Sequence, residues 1–348
     1  MGVTRREASE KIFRLLADYV LSADSTYGFD LSKCYIDFQQ FDKCMLDTMS
    51  TVYMQDFIPN ANFSIVKYNG KNMLVIIGET KINFSDAVLI QCEVDLAMFV
   101  YSVFVLNANV SHTKEPIEIY NNVLCQPEDE AYHGHNLDDL IECFENIVFY
   151  EIPETSSLSI ENPYDSYAYY LLKKLQVESL KWEDRTLDIL EEIILNGNNK
   201  IPFHNIVLAL LANQWNHSFL ETYRCIEHLF HVIRLEEFYN VLNTPLTMLD
   251  VAREIEDKIS WRPNEESAIS DIFKEISNLH ITSELEQVKN KYDNNIKIER
   301  WYYKQRNSIA HYRAIHEPLK FDNSEWNIMI RFNLMVVEHL YEKYKNKI

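Results

Sequence analysis

Apolar positions in the first half of the chain follow a helical spacing at first and an alternating spacing later. The opening helical pattern is formed by Ile12, Leu15, Leu16, Tyr19 and Val20. A second helical pattern covers residues 37–53. Between residues 63 and 77, apolar positions lie on both sides of Asn69-Gly70, a dipeptide that favours a tight hairpin turn. We therefore predict two helices followed by a β-hairpin.

Further runs rich in β-branched and aromatic residues predict that the hairpin belongs to a larger sheet. They cover residues 87–92, 117–123 and 147–152. Together with the hairpin they predict an antiparallel sheet of about four to six strands. Residues 95–106 are so uniformly apolar that periodicity does not distinguish a buried helix from a buried strand.

The second half of the chain shows helical patterning throughout. Helices are predicted over residues 164–177, 183–195, 202–240, 248–260, 265–276, 283–292, 298–312 and 324–345. The 202–240 stretch begins at Pro202, and we expect a break near Asn216. Asn196-Gly197-Asn198-Asn199 is a strong stop signal, and we place the domain boundary there.

These patterns predict an α+β fold class with two domains. Residues 1–199 form an α+β region with an antiparallel sheet, and residues 200–348 form an all-α bundle of four main helices with short additions. Of the 348 residues, 47% are hydrophobic and 25% charged, with only 6 Gly and 9 Pro. This composition excludes collagen-like and disordered chains.

The sequence gives no sign of a membrane segment, a signal peptide or a disulfide framework. No apolar run approaches the ~20 residues of a membrane span, and the N-terminus lacks an apolar signal core. The six cysteines are scattered without a C-x-x-C pair, so we expect free thiols in a reducing compartment. We expect a cytoplasmic protein with no membrane partner.

Charge is distributed unevenly along the chain. The net charge of −20 argues against bulk affinity for nucleic acid, which depends on clustered cations. Residues 1–200 hold 15 basic and 32 acidic residues, whereas residues 201–348 hold 18 and 21. Residues 289–320 carry a local excess of five positive charges. We expect an anionic ligand to be attracted to that window.

A basic and aromatic helix near the C-terminus carries the most informative string, Trp301-Tyr-Tyr-Lys-Gln-Arg-Asn-Ser-Ile-Ala-His311. Asn307 and His311 are four residues apart and share a helix face. Arg306 and His311 are five apart, which places them about 140° from each other on an ideal helix. Only the long Arg side chain, or a distorted helix end, allows both to meet one phosphate.

These three residue types suit the cleavage of RNA. A histidine titrates near neutral pH, so it can take a proton from a ribose 2′-OH or give one to a leaving oxygen. An arginine offers a rigid pair of donors to the negative charge that develops on the phosphate, and an asparagine can orient either partner. This chemistry requires no metal and no other cofactor.

The string resembles the signature of the HEPN superfamily of four-helix-bundle ribonucleases and RNA-binding domains, an Arg followed by four to six residues and a His. Residues 306–311 match the four-residue spacing, with a polar residue directly after the Arg. Residues 219–230 resemble the first core helix of the family, and Glu227 matches an acidic position often found there. The resemblance covers about residues 203–348. Arg224 and His231 also fit the looser form of the pattern.

The resemblance implies a metal-independent endoribonuclease that acts as a homodimer, with two Arg-x4-His motifs facing each other in one composite site. Cleavage leaves a 2′,3′-cyclic phosphate and a 5′-hydroxyl. The implied catalytic residues are Arg306, Asn307, His311 and Glu227. The residues expected to bind RNA are Lys304, Arg313, Tyr312 and Arg300.

Many members of the family are toxins or antiviral defence effectors, and by analogy the acidic first half is the regulatory or sensor domain. Its trigger would be an inhibitor protein, an activator protein or a small molecule. The chain departs from the family in one respect. Toxins silenced by a partner nucleotidyltransferase carry a Tyr two residues after the His, where this chain has Arg313. We therefore do not expect that style of regulation here.

Two interpretations from other functional classes stay open. In the first, the helical domain is a non-catalytic HEPN-type module that binds RNA or a nucleotide, or mediates dimerisation. Arg306 and His311 are then surface or interface residues. Alternatively, the whole chain is a partner-binding scaffold whose acidic half engages a basic surface. For Glu227 alone, a solvated or salt-bridged helix position is at least as common as a role in a site.

Other motifs carry weaker signals. His133 and His135 follow the acidic residues 128–130, but two imidazoles in a loop without a third fixed ligand are usually solvated, so we predict no metal site. The chain has no phosphate-binding loop, no dinucleotide-binding glycine motif and no hydrolase nucleophile motif.

Overall fold

A computed structural model of the chain describes residues 4–58, 61–125, 132–158, 160–178, 182–242, 244–277, 280–311 and 319–348. Helices account for 58% of the chain and strands for 10%, which confirms the α+β class. The chain divides into two units, Met1–Pro163 and Tyr164–Ile348.

The first helix, α1 (Arg5–Ala23), begins at a capping box. The Thr4 hydroxyl accepts the backbone N–H of Glu7, while the Glu7 carboxylate accepts the N–H of Thr4 at 2.8 Å. These reciprocal bonds satisfy two backbone donors that have no partner inside the helix. Ile12, Leu16 and Val20 are buried along one face, as the periodicity predicts.

The antiparallel sheet predicted from the sequence is confirmed. Its strands are β1 (Ser50–Ile58), β2 (Ala61–Tyr68), β3 (Lys71–Ile77), β4 (Ile90–Cys92) and β5 (Ile147–Ile152). In the described part of the chain the order is β1-β2-β3-β5-β4, and each neighbouring pair is antiparallel. Asn69 and Gly70 both adopt positive φ, 48° and 79°, at the two-residue turn between β2 and β3. This left-handed pair is the geometry that the Asn-Gly signal predicts.

Helices cover one face of the sheet. They are α1, α2 (Gln40–Asp47), α3 (Leu96–Phe104), α4 (Pro116–Ile119) and α5 (Leu137–Ile141). The ambiguous apolar run proves to be α3, whose first turn is capped by the Asp95 carboxylate, which accepts the N–H of Met98 at 2.8 Å. Phe13, Phe99 and Phe149 belong to one core that joins α1, α3 and the sheet.

Two predictions in this unit were wrong. Residues 117–123, predicted as a strand, form α4 followed by a π-helical turn, Tyr120–Leu124. Pro116 occupies the first helical position, where its fixed φ favours a helix over the β propensity of the residues that follow. The helix predicted over residues 37–53 ends at Asp47, because Ser50 and the residues after it pair with β2 instead.

The second unit is helical throughout the residues that the structure describes. Its helices are α6 (Pro163–Glu178), α7 (Asp184–Asn196), α8 (Phe203–Leu211), α9 (Trp215–Glu227), α10 (Phe230–Leu242), α11 (Met248–Ile259), α12 (Glu265–Glu275), α13 (Ile281–Tyr292), α14 (Ile298–Ala310) and α15 (Asn323–Tyr344). The predicted 202–240 stretch is therefore three helices, α8 to α10, rather than one stretch with a single break. The central helix α15 packs against α7, α9 and α13.

The structure divides the chain at Pro163, the first residue of α6, whereas the stop signal placed the boundary at residue 199. Hydrogen bonds between α7 and α15 account for the difference. The backbone N–H of Glu183 donates to the Asn327 side chain at 2.9 Å. The buried Arg331 in α15 donates to the Glu183 carboxylate at 3.1 Å and to the Thr186 hydroxyl at 3.2 Å. The stop signal therefore marks the end of α7 and its connection to α8, inside the helical unit.

Arg331 also donates to Glu284 of α13 at 2.9 Å, so it joins three helices. Burial alone would raise the pKa of Glu284, but the hydrogen bonds from Arg331 and Arg185 outweigh burial and lower it. Replacing Arg331 with methionine leaves two carboxylates without their shared cation. Glu183 is partly exposed, so we expect a loss of about 2–3 kcal/mol in the free energy of unfolding, somewhat less than the roughly 3–5 kcal/mol for a fully buried pair.

Urea unfolding of the full chain measures this loss. Arg185→Met is the matched control, since Arg185 binds the same Glu284 at 2.6 Å but its side chain is 55% exposed. An exposed pair contributes about 0–1 kcal/mol. Equal losses in the two variants would contradict the structural role assigned to Arg331.

Candidate functional site

The helix that carries the Arg-x4-His motif is anchored in the core of the helical unit. Trp301 and Tyr302 are buried on the inner face of α14, and the Tyr302 hydroxyl donates to the Asn333 side chain of α15 at 2.6 Å. Arg306 lies one turn after Tyr302 and is only 7% exposed. The motif arginine is therefore part of the packed face of α14 rather than its solvent face.

Arg306 is the centre of a cluster that joins three helices. Its Nη2 donates to the Glu227 carboxylate of α9 at 2.7 Å, and its Nη1 donates to the Glu265 carboxylate of α12 at 2.7 Å. Nη1 also donates to Oδ1 of Asn307 at 2.9 Å. The guanidinium carbon lies 5.0 Å from the centre of the Tyr223 ring, within range of a cation–π contact.

The structure thus brings together three of the four residues that the sequence assigned to catalysis. Glu227, 79 positions before Arg306, is the last residue of α9 and meets the guanidinium directly. Sequence reasoning missed Glu265 and Tyr223. Tyr223 precedes Glu227 by one helical turn, a spacing that would have revealed it. Glu265 begins α12 and carries only the signal of an acidic residue in a first helical turn.

The charged groups of this cluster carry a net negative charge. Two carboxylates, whose side chains are 37% and 39% exposed, surround one guanidinium that is 9% exposed. Burial raises the pKa of Tyr223 well above its usual value, although the nearby Arg306 opposes the rise, so the phenol stays neutral. Both terminal nitrogens of Arg306 already donate to carboxylates. A phosphate that approached this guanidinium would compete with Glu227 and Glu265 for its donors.

His311 lies directly after the end of α14. Its backbone N–H donates to the carbonyl oxygen of Asn307 at 2.9 Å, and its φ of −124° and ψ of 86° leave the helical region. The helix thus ends at Ala310, two residues before the predicted end. His311 is exposed, unlike Arg306. The backbone therefore leaves helical geometry at this position, which is one of the two arrangements that the spacing of the motif allows.

The residues assigned to RNA binding lie in different surroundings. Lys304 and Arg300 are exposed on α14, and Arg300 lies 3.7 Å from Glu266 of α12. Tyr312 and Arg313 lie outside the described residues.

The positive charge counted along residues 289–320 is largely offset in the fold. Lys289 is buried and pairs with Glu286 at 2.6 Å, while Lys291 pairs with Glu325 at 3.0 Å. Arg300 and Arg306 are paired as described above. Most of the partnering acids come from outside the window, so its linear charge overstates the attraction for an anion.

The histidine loop of the N-terminal unit is not a solvated pair. His133 is exposed, but His135 is buried against Phe13. Nε2 of His135 lies 3.1 Å from the carbonyl oxygen of Val123, which can only accept, so this nitrogen carries the proton. The acidic residues 128–130 lie outside the described residues. Within the part of the chain that the structure describes, no group of three His, Cys, Asp or Glu side chains is placed to hold a metal ion.

All six cysteines are free thiols, as the scattered spacing predicts. Burial raises the pKa of Cys34 and of Cys143 to about 11 and raises that of Cys225 further. These buried thiols stay protonated at neutral pH, which makes them poor nucleophiles. Cys44 and Cys125 are exposed.

The buried His135 predicts a pH-dependent loss of stability. Burial lowers its pKa below that of an exposed histidine, and the neighbouring Asp139 opposes this shift only in part. The unfolded chain therefore binds more protons than the folded chain once the pH falls below about 6.5. The stability linked to His135 is complete above that pH and is lost as the pH falls towards the pKa of the folded state.

Urea unfolding at pH 7.5 and at pH 5.5 tests this linkage. We expect the difference in unfolding free energy between the two pH values to be smaller in His135→Gln than in the wild type. His133→Gln is the matched control, because His133 is exposed in the same loop. An unchanged difference in His135→Gln would contradict the prediction.

Comparison with protein-family models, with characterised proteins and with solved structures found no match to this chain. The resemblance to the HEPN superfamily therefore stays a hypothesis that depends on the residues named above. Among the described residues, no helix has the length and apolar character needed to cross a membrane.

Proposed function

We propose that this chain is a metal-independent endoribonuclease of the HEPN type, in which His311 moves the protons and Arg306 stabilises the charge on the phosphate. The main support for the proposal is the contact between Glu227 and Arg306. Arg306 lies in the last turns of α14, and His311 directly follows that helix. A residue assigned by resemblance meets the motif arginine in space, although 78 residues separate the two in sequence.

The arrangement suits a reaction in which Arg306 is a fixed cation and His311 is an accessible base. Glu227, Glu265 and Asn307 hold the Arg306 guanidinium in one orientation, so little ordering is needed when substrate binds. His311 follows the end of the helix and is exposed, so RNA can reach it. Because Glu265 is more than a third exposed, an incoming phosphate can displace it from Arg306 more readily than it could displace a buried acid.

The proposed reaction needs one base and one acid. One imidazole takes the proton from the ribose 2′-OH, and the freed oxygen attacks the adjacent phosphorus. The bond to the 5′ oxygen breaks, and that oxygen receives a proton from a protonated imidazole. Two copies of His311 in a homodimer supply both roles, and the products are a 2′,3′-cyclic phosphate and a 5′-hydroxyl.

We assign the N-terminal unit to regulation. Residues 1–163 contain 10 basic and 25 acidic residues, so this unit repels nucleic acid and is unsuited to hold the RNA itself. We place the protein in defence or toxin function on the same resemblance, with cytoplasmic RNA as its substrate.

A non-catalytic HEPN-type module is the second candidate, and one observation favours it. Both Nη groups of Arg306 already donate to carboxylates, which is typical of a structural ion-pair cluster. In that case Arg306 holds α9, α12 and α14 together, and RNA or a second protein binds elsewhere on the unit.

Incubation of purified full-length protein with total cellular RNA in EDTA separates the two candidates. The proposal expects cleavage, with cyclic-phosphate ends mapped on the products. Saturable RNA binding without new ends would favour the binding module. Neither binding nor cleavage would contradict the ribonuclease proposal and would restrict the second candidate to a module that binds a protein.

A further inference from the structure

A cavity of about 880 Å³ opens in the N-terminal unit between α1 and the 3₁₀ turn at Leu31–Lys33. Its volume lies in the range of small-molecule sites, about 300–1,000 Å³. It is lined by Arg5, Arg6, Ser9, Glu10, Phe13, Arg14, Leu31, Ser32, Cys34 and Tyr35. None of the residues of the proposed ribonuclease site lines this cavity.

The lining is cationic in a unit that is otherwise acidic. Three of the ten basic residues of the unit, Arg5, Arg6 and Arg14, face this one cavity, and among the described residues Glu10 is the single carboxylate in its lining. Arg14 makes no hydrogen bond or ion pair with the described residues, although acids outnumber bases here by 25 to 10. Three guanidinium groups around a concave space, of which Arg14 has no partner among the described residues, favour an anionic occupant.

The other two arginines are held so that they can contribute. Nε of Arg5 donates to the carbonyl oxygen of Ile36 at 3.1 Å, and its guanidinium carbon lies 4.9 Å from the Tyr35 ring centre. These contacts orient Arg5 without neutralising it. Arg6 pairs with Glu10 at 2.7 Å, but the two side chains are 88% and 54% exposed. Such an exposed pair is weak, so an anion can displace Glu10.

The rest of the wall is apolar, with one buried donor. Phe13, Leu31, Cys34 and Tyr35 present carbon and neutral sulfur, and burial raises the pKa of Cys34 to about 11, which keeps its thiol uncharged. The Ser9 hydroxyl is buried and accepts the backbone N–H of Ile36 at 3.2 Å. Its own O–H has no acceptor among the described residues, so it is available to a ligand in the cavity.

We propose that this cavity binds a small organic phosphate that carries a flat apolar group, the chemistry of a nucleotide. The Arg14 guanidinium binds the phosphate oxygens, and the apolar wall receives the base. Arg5 and Arg6, about 12 Å away along α1, add to the positive potential of the cavity. The site lies wholly within the N-terminal unit and goes beyond the proposed ribonuclease activity, so its test needs no RNA cleavage.

Isothermal titration of the full-length chain with ATP and with the four ribonucleoside monophosphates tests the site. We expect at least one probe to bind saturably, with inorganic phosphate and adenosine each at least about tenfold weaker because each lacks half of the recognised chemistry. Arg14→Ala should weaken binding at least about tenfold, and Arg14→Lys by less, because lysine keeps the charge but loses the paired donors.

Lys81→Ala is the matched control, since Lys81 is an exposed cation of the same unit that does not line the cavity. It should bind the probe as the wild type does. Arg14 is exposed on α1, so its replacement leaves the fold intact, which circular dichroism verifies. The proposal is overturned if no probe binds below about 1 mM, or if Arg14→Ala and Lys81→Ala bind equally.

Discussion

Replacing His311 with alanine should lower RNA cleavage in EDTA by about 10²–10⁴-fold, the usual contribution of a general acid or base. The expected loss is large because both proton transfers of the proposed reaction pass through this residue in two copies. His311 is exposed at the end of α14, so its removal should leave the stability of the helical unit nearly unchanged. The measurement is the rate at which cyclic-phosphate ends appear on a defined RNA.

His217→Ala is the matched control for this experiment. His217 is also exposed and lies near the start of α9, in the same helical unit. Its replacement should leave the rate unchanged. If His311→Ala and His217→Ala cleave as fast as the wild type, His311 does not act in the reaction and the activity belongs to another site.

Replacing Arg306 with alanine should lower cleavage by about 10²–10³-fold, the range for loss of a donor that stabilises charge in the transition state. It should also lower the free energy of unfolding by about 1–2 kcal/mol. That figure is discounted from the value for a fully buried pair, because water screens the partly exposed Glu227 and Glu265. Initial rates and urea unfolding of the same protein give both numbers.

Two further variants separate chemistry from packing. Arg306→Lys keeps the charge but cannot donate to two carboxylates and a phosphate in fixed geometry, so cleavage should still fall more than tenfold. Arg224→Ala is the control, because Arg224 belongs to the looser motif match and its side chain is 56% exposed. Rates are compared at a temperature where every variant is folded. Full activity of Arg306→Lys and Arg306→Ala there would assign Arg306 to structure alone.

Local patterns predicted most of the elements, and long-range contacts explain what they missed. Asn69-Gly70 specified the hairpin because turn geometry depends on two adjacent residues. The strand predicted at residues 117–123 was wrong because one proline outweighed a run of β-prone residues. The boundary predicted at residue 199 differs from the division at Pro163 because Arg331 lies far along the chain from the residues it binds.

The candidate site shows the same limit. The Arg-x4-His spacing and the helix ends are sequence properties, so the motif could be recognised without a structure. The environment of Arg306 could not, since Glu265 comes from another helix and its first-turn position carries no sign of this contact. The ion pairs that offset the positive charge of residues 289–320 could not be predicted for the same reason. Their acidic partners lie outside this window, so a count of charges along it omits them.

The bonds from Arg331 to the start of α7 determine which segment of this chain could be transferred to another gene as an intact folding unit. A recombination event that carried only residues 200–348 into another gene would leave Glu183 and Thr186 behind, and the buried Arg331 would keep only Glu284 of α13 as a counter-charge. A junction placed near residue 163 would transfer the helical unit together with its counter-charges. Related helical units in other genes should therefore include α7, which a domain defined as residues 200–348 omits.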